Sequence, residues 1–296
     1  MQMLLNCGLV LEGGGMRGVY TAGVLESFLE HGIEFPYVIG VSAGACNAAS
    51  FLSKQKGRNR KVNIDFIHEE RYLSWKNYIR NRELFGMDYV FDEIPKKHVP
   101  FDFQAFDENP CEFVIGTTDC MTGKPVYFTR KDYKGNLLQV LRASSSLPLA
   151  APIVEIGGRP LLDGGLSDPI PIKKAIQDGF TYNIVISTRN RGYRKKPAKF
   201  TFFIKRKYRA YPGVYEAVKK RAGLYNETVE FIENEEREGR VFLICPQEPL
   251  KVKRIEKNAK RLTELYEQGV RDGGRIMEQL ISWDTRLKTH MKARVR

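Results

Sequence analysis

The chain has 296 residues, 42% of them hydrophobic, and its formal net charge is +13. This length fits one large α/β domain or a domain with an appendage, and this composition excludes a disordered or fibrous protein. The charge is uneven, because residues 1–188 carry 20 Lys and Arg against 21 Asp and Glu, whereas residues 189–296 carry 28 against 14. We therefore predict a larger N-terminal part with almost no net charge and a basic C-terminal extension. The extension either binds a polyanion or is a solvated helical surface rich in Lys and Arg.

The sequence predicts neither a membrane span nor export. No apolar run approaches the ~20 residues that a membrane-spanning helix needs, and the N-terminus lacks the regions of a signal peptide. The cysteines are odd in number and widely spaced, and they form no CxxC pair: Cys7, Cys46, Cys111, Cys120 and Cys245. We predict that they are reduced thiols in the core and that the protein is cytoplasmic.

Two strand–turn–helix units open the chain. Residues 4–11 are apolar and predict the first buried strand, which leads through a glycine-rich turn into a helix over residues 19–31. Residues 38–41 predict a second strand, and the Ala- and Ser-rich residues 43–52 predict a helix that packs closely on a sheet. Both turns therefore fall at the carboxyl ends of strands, where α/β sheets bind their ligands.

The remaining elements alternate between strand and helix. We expect a basic surface loop over residues 54–61 and helix with irregular structure over 62–110. Strands are predicted at 112–117, 125–128, 153–156, 159–162, 182–187 and 241–244, and helices at 137–143, 214–236 and 256–277. This alternation predicts a three-layer α/β/α sandwich with a largely parallel central sheet.

The second turn carries a nucleophile-elbow pattern, Gly40-x-Ser42-x-Gly44. Glycines on both sides permit a sharp strand-to-helix turn, from which the Ser42 hydroxyl projects above the sheet. The pattern alone is weak, and a tight turn with an inert serine is the alternative. The preceding strand and the small-residue helix favour a nucleophile.

The first turn is a candidate oxyanion hole. Its residues are Gly13, Gly14, Gly15, Met16, Arg17 and Gly18. Glycines spaced in this way also match a dinucleotide fingerprint, but that site needs an acidic residue at the end of the next strand, which here ends at Ser42. The other use of such a turn is to aim backbone N–H groups at a developing oxyanion. Arg17 either orients the turn, adds positive potential or lies on the surface.

Asp163 is the candidate base for Ser42. It ends an apolar strand and is followed by Gly164 and Gly165, which allow a tight turn that holds the carboxylate in place. An isolated Asp-Gly pair would be read as a simple turn. A serine nucleophile needs a base, however, and none of the histidines lies in a glycine loop at a strand end: His31, His68, His98 and His290. A partly desolvated carboxylate is basic enough for this role.

The glycine turn, the elbow and the Asp163-Gly-Gly segment, in this order and spacing, resemble the patatin-like phospholipases. The resemblance covers residues 9–187, including the looser stretches at 116–119 and 143–148. It implies lipid acyl hydrolysis by a Ser-Asp dyad without histidine, with Ser42 as nucleophile, Asp163 as proton acceptor and residues 13–18 as the oxyanion hole.

One departure from the family pattern concerns the base. Where the family often has Asn-x-Pro after the glycine pair, this chain has Ser167-Asp168-Pro169, so Asp168 competes with Asp163 for the role of proton acceptor. Asp163 keeps the motif position. We divide the chain into a patatin-like catalytic domain, residues 1–189, and a basic, mainly helical extension, residues 190–296, packed on it.

We expect a serine hydrolase that cleaves carboxylic esters of phospholipids or lysophospholipids, with no metal ion and no cofactor. An acyltransferase or thioesterase with the same dyad is the alternative. Aromatic residues interleave with cations in the extension: Phe200, Phe202, Phe203, Tyr208 and Tyr211 with Lys199, Lys205, Arg206, Lys207 and Arg209. This mixture suits peripheral contact with an anionic membrane at its inner face, or nucleic acid, and we expect no specific nucleic-acid partner. The oligomeric state stays open.

Overall fold

The computed structural model describes residues 3–199 and 201–294. The strands are β1 (Met3–Leu4), β2 (Gly8–Leu11), β3 (Ile33–Glu34), β4 (Tyr37–Val41), β5 (Glu112–Asp119), β6 (Pro125–Phe128), β7 (Val154–Ile156), β8 (Arg159–Asp163), β9 (Asn183–Ile186) and β10 (Val241–Ile244). The α-helices are α1 (Val19–Glu30), α2 (Ala43–Leu52), α3 (Arg58–Arg60), α4 (Trp75–Asn81), α5 (Phe103–Glu108), α6 (Leu137–Ser145), α7 (Ile172–Gln177), α8 (Thr201–Lys207), α9 (Pro212–Arg237), α10 (Ala259–Arg275) and α11 (Met277–Arg294). Short 3-10 turns lie at Gly15–Gly18 and Gly164–Leu166, and π-helical segments at Lys61–Asp65 and Tyr89–His98.

The central sheet is largely parallel. Strands β10, β9, β2, β4 and β5 lie side by side and run in the same direction. Strands β6 and β8 pair with β5 in antiparallel orientation, and β7 pairs antiparallel with β8 at the edge of the sheet. Side chains of successive strand residues point to opposite faces, so Leu9 and Leu11 belong to a core shared with α1 and α2, and Val10 belongs to one shared with α7 and α9. The predicted three-layer sandwich is confirmed.

The local structure departs from the sequence-based expectations at three points. Residues 4–11 are two strands, because the Asn6 amide leaves the ladder and donates to Asp284 Oδ1 on α11 at 2.8 Å. Residues 54–61 are not wholly a surface loop, since Arg58 is buried and donates to Ser50 Oγ at 2.8 Å. The last predicted helix, at residues 256–277, corresponds to α10, and it is followed by a further helix, α11, that was not predicted.

Residues after position 189 join both the sheet and a helical layer. Strand β10 pairs with β9 inside the central sheet, and α10 packs along α1. The two helices approach so closely that a Cβ atom on Gly269 would collide with the carbonyl oxygen of Tyr20, and one on Gly23 with that of Tyr266. The division of the chain at residue 189 stays a prediction.

Gly269→Ala should therefore lower the free energy of unfolding by about 1–3 kcal/mol, because the added methyl group forces the α1 and α10 backbones apart. Gly274→Ala is the matched control on the same helix. Its Cβ would lie 3.9 Å from the Ser27 hydroxyl oxygen, so we expect no loss and a gain of up to about 1 kcal/mol from helix propensity. Urea unfolding followed by circular dichroism measures both, and equal stability of the two variants would contradict the close contact.

Candidate active site

The register of the sheet brings Ser42 and Asp163 together. Strand β6 occupies one edge of β5, so β4 and β8 share the other edge. They approach each other head to head along it, with Val41 opposite Gly116 and Asp163 opposite the next residue, Thr117. Ser42 follows Val41 directly, and the serine and the carboxylate therefore meet in the gap between two strand ends.

The elbow around Ser42 has the backbone geometry expected of a strained turn. Ser42 has φ +54° and ψ −128°, a conformation that costs energy for a residue with a side chain. Its amide donates to Ser144 Oγ at 2.8 Å, and that hydroxyl donates to the Gly116 carbonyl at 2.7 Å. A Cβ on Gly44 would lie 2.6 Å from the Leu11 carbonyl oxygen, and one on Gly40 would lie 2.8 Å from the Ala45 amide nitrogen. The surroundings thus hold Ser42 in its strained position.

Asp163 is buried with one carboxylate oxygen held and the other unpartnered. Oδ1 accepts the Gly165 amide at 2.7 Å, while Oδ2 has no hydrogen-bond partner in the described chain. Burial raises the pKa of this carboxyl, and the neighbouring Ser42 hydroxyl and the Arg221 guanidinium act against that rise. Ser42 is thus near enough to influence the carboxyl although it falls outside strict hydrogen-bond geometry with Oδ2. This is the environment in which a carboxylate is both basic and free to accept a proton.

Asp168 has a different environment. The Tyr127 hydroxyl donates to Asp168 Oδ2 at 2.5 Å. Burial raises the pKa of Asp168 to about 6, and the tyrosine opposes the rise. One of its oxygens is therefore engaged by a neighbouring side chain, whereas the Oδ2 of Asp163 is unengaged and lies beside the elbow. The geometry favours Asp163 as the partner of Ser42.

The glycine turn offers two amides to the site. Gly15 has φ +57° and begins the 3-10 turn that ends at Gly18. The Gly13 amide donates to the Pro169 carbonyl at 3.3 Å and the Met16 amide to the Arg254 carbonyl at 3.0 Å. Those of Gly14 and Gly15 donate to no acceptor in the described parts of the chain. Met16, one of the residues of the candidate oxyanion hole, therefore has no free amide, because its N–H already donates to the carbonyl of Arg254, far along the chain.

Arg17 is buried, so its placement on the surface is excluded. Its Nε atom has no hydrogen-bond partner among the described residues. Burial lowers the pKa of the guanidinium to about 10, and the positive charges of Arg189 and Arg254 lower it further. Arg17 therefore adds positive potential beside the glycine turn.

An apolar cleft opens beside Ser42. The cleft together with its solvent-filled mouth spans about 960 Å³, and Ser42, Gly15 and Met16 are among its lining residues. Its walls come largely from the irregular residues 62–110 and from α6, and include Tyr72, Phe85, Val90, Phe91, Leu138 and Leu141. A cleft of this kind fits an extended hydrocarbon chain whose reactive end lies at the serine.

Among the described residues, neither a histidine nor a metal-binding group of side chains lies at this cleft. His31, His68 and His98 do not line it, and the side chain of His290 lies outside the described residues. Across residues 3–199 and 201–294, no three His, Cys, Asp or Glu side chains are grouped so as to hold a metal ion. Over the same residues, no helix is both long and apolar enough to cross a membrane. The five cysteines are free thiols, and Cys46, which lines the cleft, is half-buried rather than in the core.

Comparison with known families decides the class of the protein. The sequence model of a family described as patatin-like phospholipase matches residues 9–176. The chain belongs to the patatin-like phospholipase family. A second model, described as a domain of unknown function (DUF6363), matches residues 211–285, so the patatin-like region is followed by a distinct family segment.

Several patatin-like relatives are similar over different lengths. The uncharacterized protein YjjU of Escherichia coli (strain K12) is 30% identical over 272 residues, which are 88% of this chain and 74% of that protein. The uncharacterized NTE family protein Rv1063c of Mycobacterium tuberculosis (strain H37Rv) is 26% identical over 64% of this chain and 51% of its own length. The lysophospholipase nte1 of Aspergillus terreus is 27% identical over 56% of this chain and 11% of its own length. VipD from Legionella pneumophila shares the fold, with a TM-score of 0.50 and 13% identity over 92% of this chain and 67% of that one.

Sequence reasoning missed two contributors to the patatin-like site. Ser144 holds the Ser42 amide, and the only signal for it was the serine run at 144–146. Arg58 lines the cleft, and its Nε atom has no hydrogen-bond partner within the described chain. The sequence did not indicate this position, because Arg58 lies in a run of basic residues that is typical of a surface loop. Both depend on contacts between distant segments.

Proposed function

We propose that this protein is a serine lipid acyl hydrolase that cleaves the carboxylic ester of a phospholipid or lysophospholipid. The observation that carries the proposal is the meeting of Ser42 and Asp163 at two opposed strand ends, above an apolar cleft. Membership of the patatin-like phospholipase family supports it. A similar protein, from Aspergillus terreus, is named a lysophospholipase.

In the first half of the reaction, Asp163 Oδ2 accepts the proton of the Ser42 hydroxyl as Oγ attacks the acyl carbonyl carbon. The raised pKa of Asp163 makes this transfer less unfavourable than it would be to an exposed carboxylate. The amides of Gly14 and Gly15 bind the oxygen that becomes negative in the tetrahedral intermediate. The intermediate collapses, and the leaving alcohol takes the proton from Asp163.

In the second half, water attacks the acyl–Ser42 ester. Asp163 takes a proton from this water, the same two amides bind the second oxyanion, and the proton returns to Ser42 Oγ as the fatty acid leaves. The acyl chain occupies the apolar cleft through both halves, which holds the carbonyl carbon against the serine. A different acceptor in place of water would make the same site an acyltransferase.

Two measurements test this proposal together. A fluorophosphonate probe should label Ser42, mapped by peptide mass spectrometry, and not Ser145, which lines the same cleft and serves as the internal control. Product analysis on defined phospholipids and lysophospholipids in H₂¹⁸O should show ¹⁸O in the released fatty acid. Label on Ser145, or acyl groups recovered only on an added alcohol or thiol acceptor, would contradict hydrolysis at Ser42.

We infer that the enzyme meets its substrate at a membrane surface through exposed apolar residues on α4 and α8. Trp75, Ile79, Phe202 and Phe203 are 62–75% exposed, and Phe200 lies outside the described residues. Tyr208, which follows α8, is buried, and its burial raises the pKa of its hydroxyl group. Tyr208 also holds the Leu149 amide at 2.9 Å, near Leu147 in the cleft wall.

Charge on α8 supports an anionic surface as the partner. Lys205, Arg206 and Lys207 are exposed, and none has a carboxylate within 4 Å in the described chain. Each such cation contributes about 1 kcal/mol to binding near an anionic leaflet.

The protein should therefore float with vesicles that contain phosphatidylserine, and it should float less with vesicles of phosphatidylcholine alone. A Phe202→Ser, Phe203→Ser double variant should lose most of this binding, whereas Lys251→Ser, an exposed change elsewhere, should not. Preferential binding of duplex DNA or RNA would contradict the membrane surface.

A further inference from the structure

Five basic side chains gather beside the glycine turn, and we call them the cationic cluster: Arg17, Arg189, Lys195, Arg221 and Arg254. They come from four separate segments of the chain. None of the five forms an ion pair with a carboxylate within 4 Å in the described residues, whereas neighbouring cations such as Arg191 and Arg194 pair with Glu236 and Glu233. The cluster is therefore a distinct group without ion pairs, and four of its five members lie in the basic third of the chain.

The members of the cluster are close enough to act on one another. Burial lowers the pKa of Lys195 to about 7, and the charges of Arg221 and Arg254 lower it further. Burial likewise lowers the pKa of Arg221 to about 10, with Arg254 again adding to the effect. Glu12 acts in the opposite direction, but its carboxylate is held by Ser187 Oγ and the Thr188 amide, both at 2.6 Å, and by Tyr225. Asp163 also acts on Arg221, but two buried carboxylates do not balance five cations.

The cluster is held in place while some of its donors are unused. The Arg189 guanidinium lies 4.2 Å from the Tyr193 ring centre, and Lys195 Nζ lies 4.4 Å from that of Tyr225. Yet the Nε atoms of Arg17 and Arg189 and the hydroxyl of Thr188 are buried without a hydrogen-bond partner in the described chain. Buried donors are nearly always satisfied, so three in one place indicate a missing acceptor. Two of the three donors belong to positively charged guanidinium groups, which favours an anion as that acceptor.

The cluster adjoins the proposed dyad. Arg221 Nε donates to the Gly165 carbonyl at 2.6 Å, two residues from Asp163, and the Arg254 carbonyl holds the Met16 amide of the glycine turn. Thr188 lies against Gly14, where a Cβ atom would be 2.7 Å from its hydroxyl oxygen. An anion bound by the cluster is thus next to the position at which the ester would react.

We propose that the cationic cluster binds the phosphate group of the lipid and so selects substrates that carry a phosphate a few bonds from the ester. This inference rests on the proposed function and adds the residues that recognise the phosphate of the substrate. Planar guanidinium groups match phosphate oxygens, and the glycerol backbone separates a phosphate from an acyl ester by only a few bonds. Arg221 and Arg254 lie in the segment matched by the domain of unknown function, which thereby gains a role in head-group selection.

The test compares two lipids with the same acyl chain, lysophosphatidic acid and the neutral monoacylglycerol. The ratio of their kcat/KM values should favour the phosphate ester in the wild type. It should fall at least tenfold in Arg189→Gln and in Lys195→Gln. Lys196→Gln and Arg191→Gln, adjacent exposed cations outside the cluster, are matched controls that should leave the ratio unchanged. A ratio that is the same in all five proteins, each folded by circular dichroism, would overturn the proposal.

A second arm uses inorganic phosphate and separates a lipid phosphate from a free one. Phosphate should compete with lysophosphatidic acid and leave monoacylglycerol hydrolysis unchanged, and its binding by calorimetry should weaken in Lys195→Gln. A change in the rate on monoacylglycerol with phosphate would instead make the site an effector site, against head-group selection. If the wild type hydrolyses none of the defined phospholipids and lysophospholipids, the proposed function fails by itself. Phosphate binding that persists undiminished in Lys195→Gln would overturn the assignment of the cluster separately.

Discussion

Ser42→Ala should reduce kcat/KM for ester hydrolysis by about 10⁴-fold or more, because removing a nucleophile leaves only the contribution of binding and oxyanion stabilisation. The fold should be unaffected. The hydrogen bond from residue 42 to Ser144 Oγ uses the backbone amide, which alanine retains. Release of fatty acid from a lysophospholipid and of p-nitrophenol from a short-chain ester measures the loss, and thermal unfolding measures the stability.

Ser145→Ala is the matched control for this experiment. Ser145 lines the same cleft and its Oγ lies 3.4 Å from Cys46 Sγ, but it follows no strand end and faces no unpartnered carboxylate oxygen in the described chain. We expect its activity to stay within about threefold of the wild type, since surrounding contacts rather than chemistry change. Full activity in Ser42→Ala, or equal losses in both variants, would remove Ser42 from the mechanism.

Asp163→Asn should lower kcat by about 10²–10⁴-fold, the usual contribution of a general base, while the fold is retained. The asparagine side-chain oxygen still accepts the Gly165 amide, so the turn at the end of β8 keeps its hydrogen bond. Asp168→Asn is the matched control, because Asp168 is also a buried carboxylate but is engaged by Tyr127. If Asp168→Asn costs more activity than Asp163→Asn, the base assignment is reversed.

The pH dependence of kcat/KM tests the pKa of Asp163 independently of the substitutions. Burial raises its pKa, and the reaction needs the ionised carboxylate, so kcat/KM should fall as the pH decreases through a value above the ordinary aspartate pKa of about 3.9. The same shift makes the ionised form unfavourable in the folded protein at neutral pH. Asp163→Asn should therefore be more resistant to urea than the wild type at pH 7, and this advantage should disappear below the unfolded-state pKa. A variant less stable at pH 7 would contradict a raised pKa.

Several features of the site lower the stability of the fold locally. Ser42 sits in a conformation with positive φ, Asp163 is a buried carboxylate with an unpartnered oxygen, and the cationic cluster places like charges together. Each of these lowers stability locally, and each is held by the surrounding sheet and helices. Such concentrations of unfavourable groups are characteristic of functional sites, because the reaction or the ligand supplies the compensating interaction.

The sequence alone was sufficient for the class of fold and for the strands that precede Ser42 and end at Asp163. Alternating apolar runs and glycine turns predicted the strands that precede Ser42 and end at Asp163, because buried strands and strand-end turns are recorded in local composition. Bounds of several elements matched the structure, including α2, β6 and β10. The family resemblance carried by the three motifs agrees with the matched region, residues 9–176.

The tertiary structure decided what depends on contacts between distant segments. Only the shared edge of β5 shows that the ends of β4 and β8 meet, and only Arg254 explains why the Met16 amide is occupied. As a candidate base, Asp168 was distinguished from Asp163 by its hydrogen bond with Tyr127, which lies 41 residues before it in the sequence. The cationic cluster unites segments that local patterns describe merely as basic. Local sequence records propensity and burial, whereas pairing, charge compensation and free donors are properties of neighbours that the chain brings together only on folding.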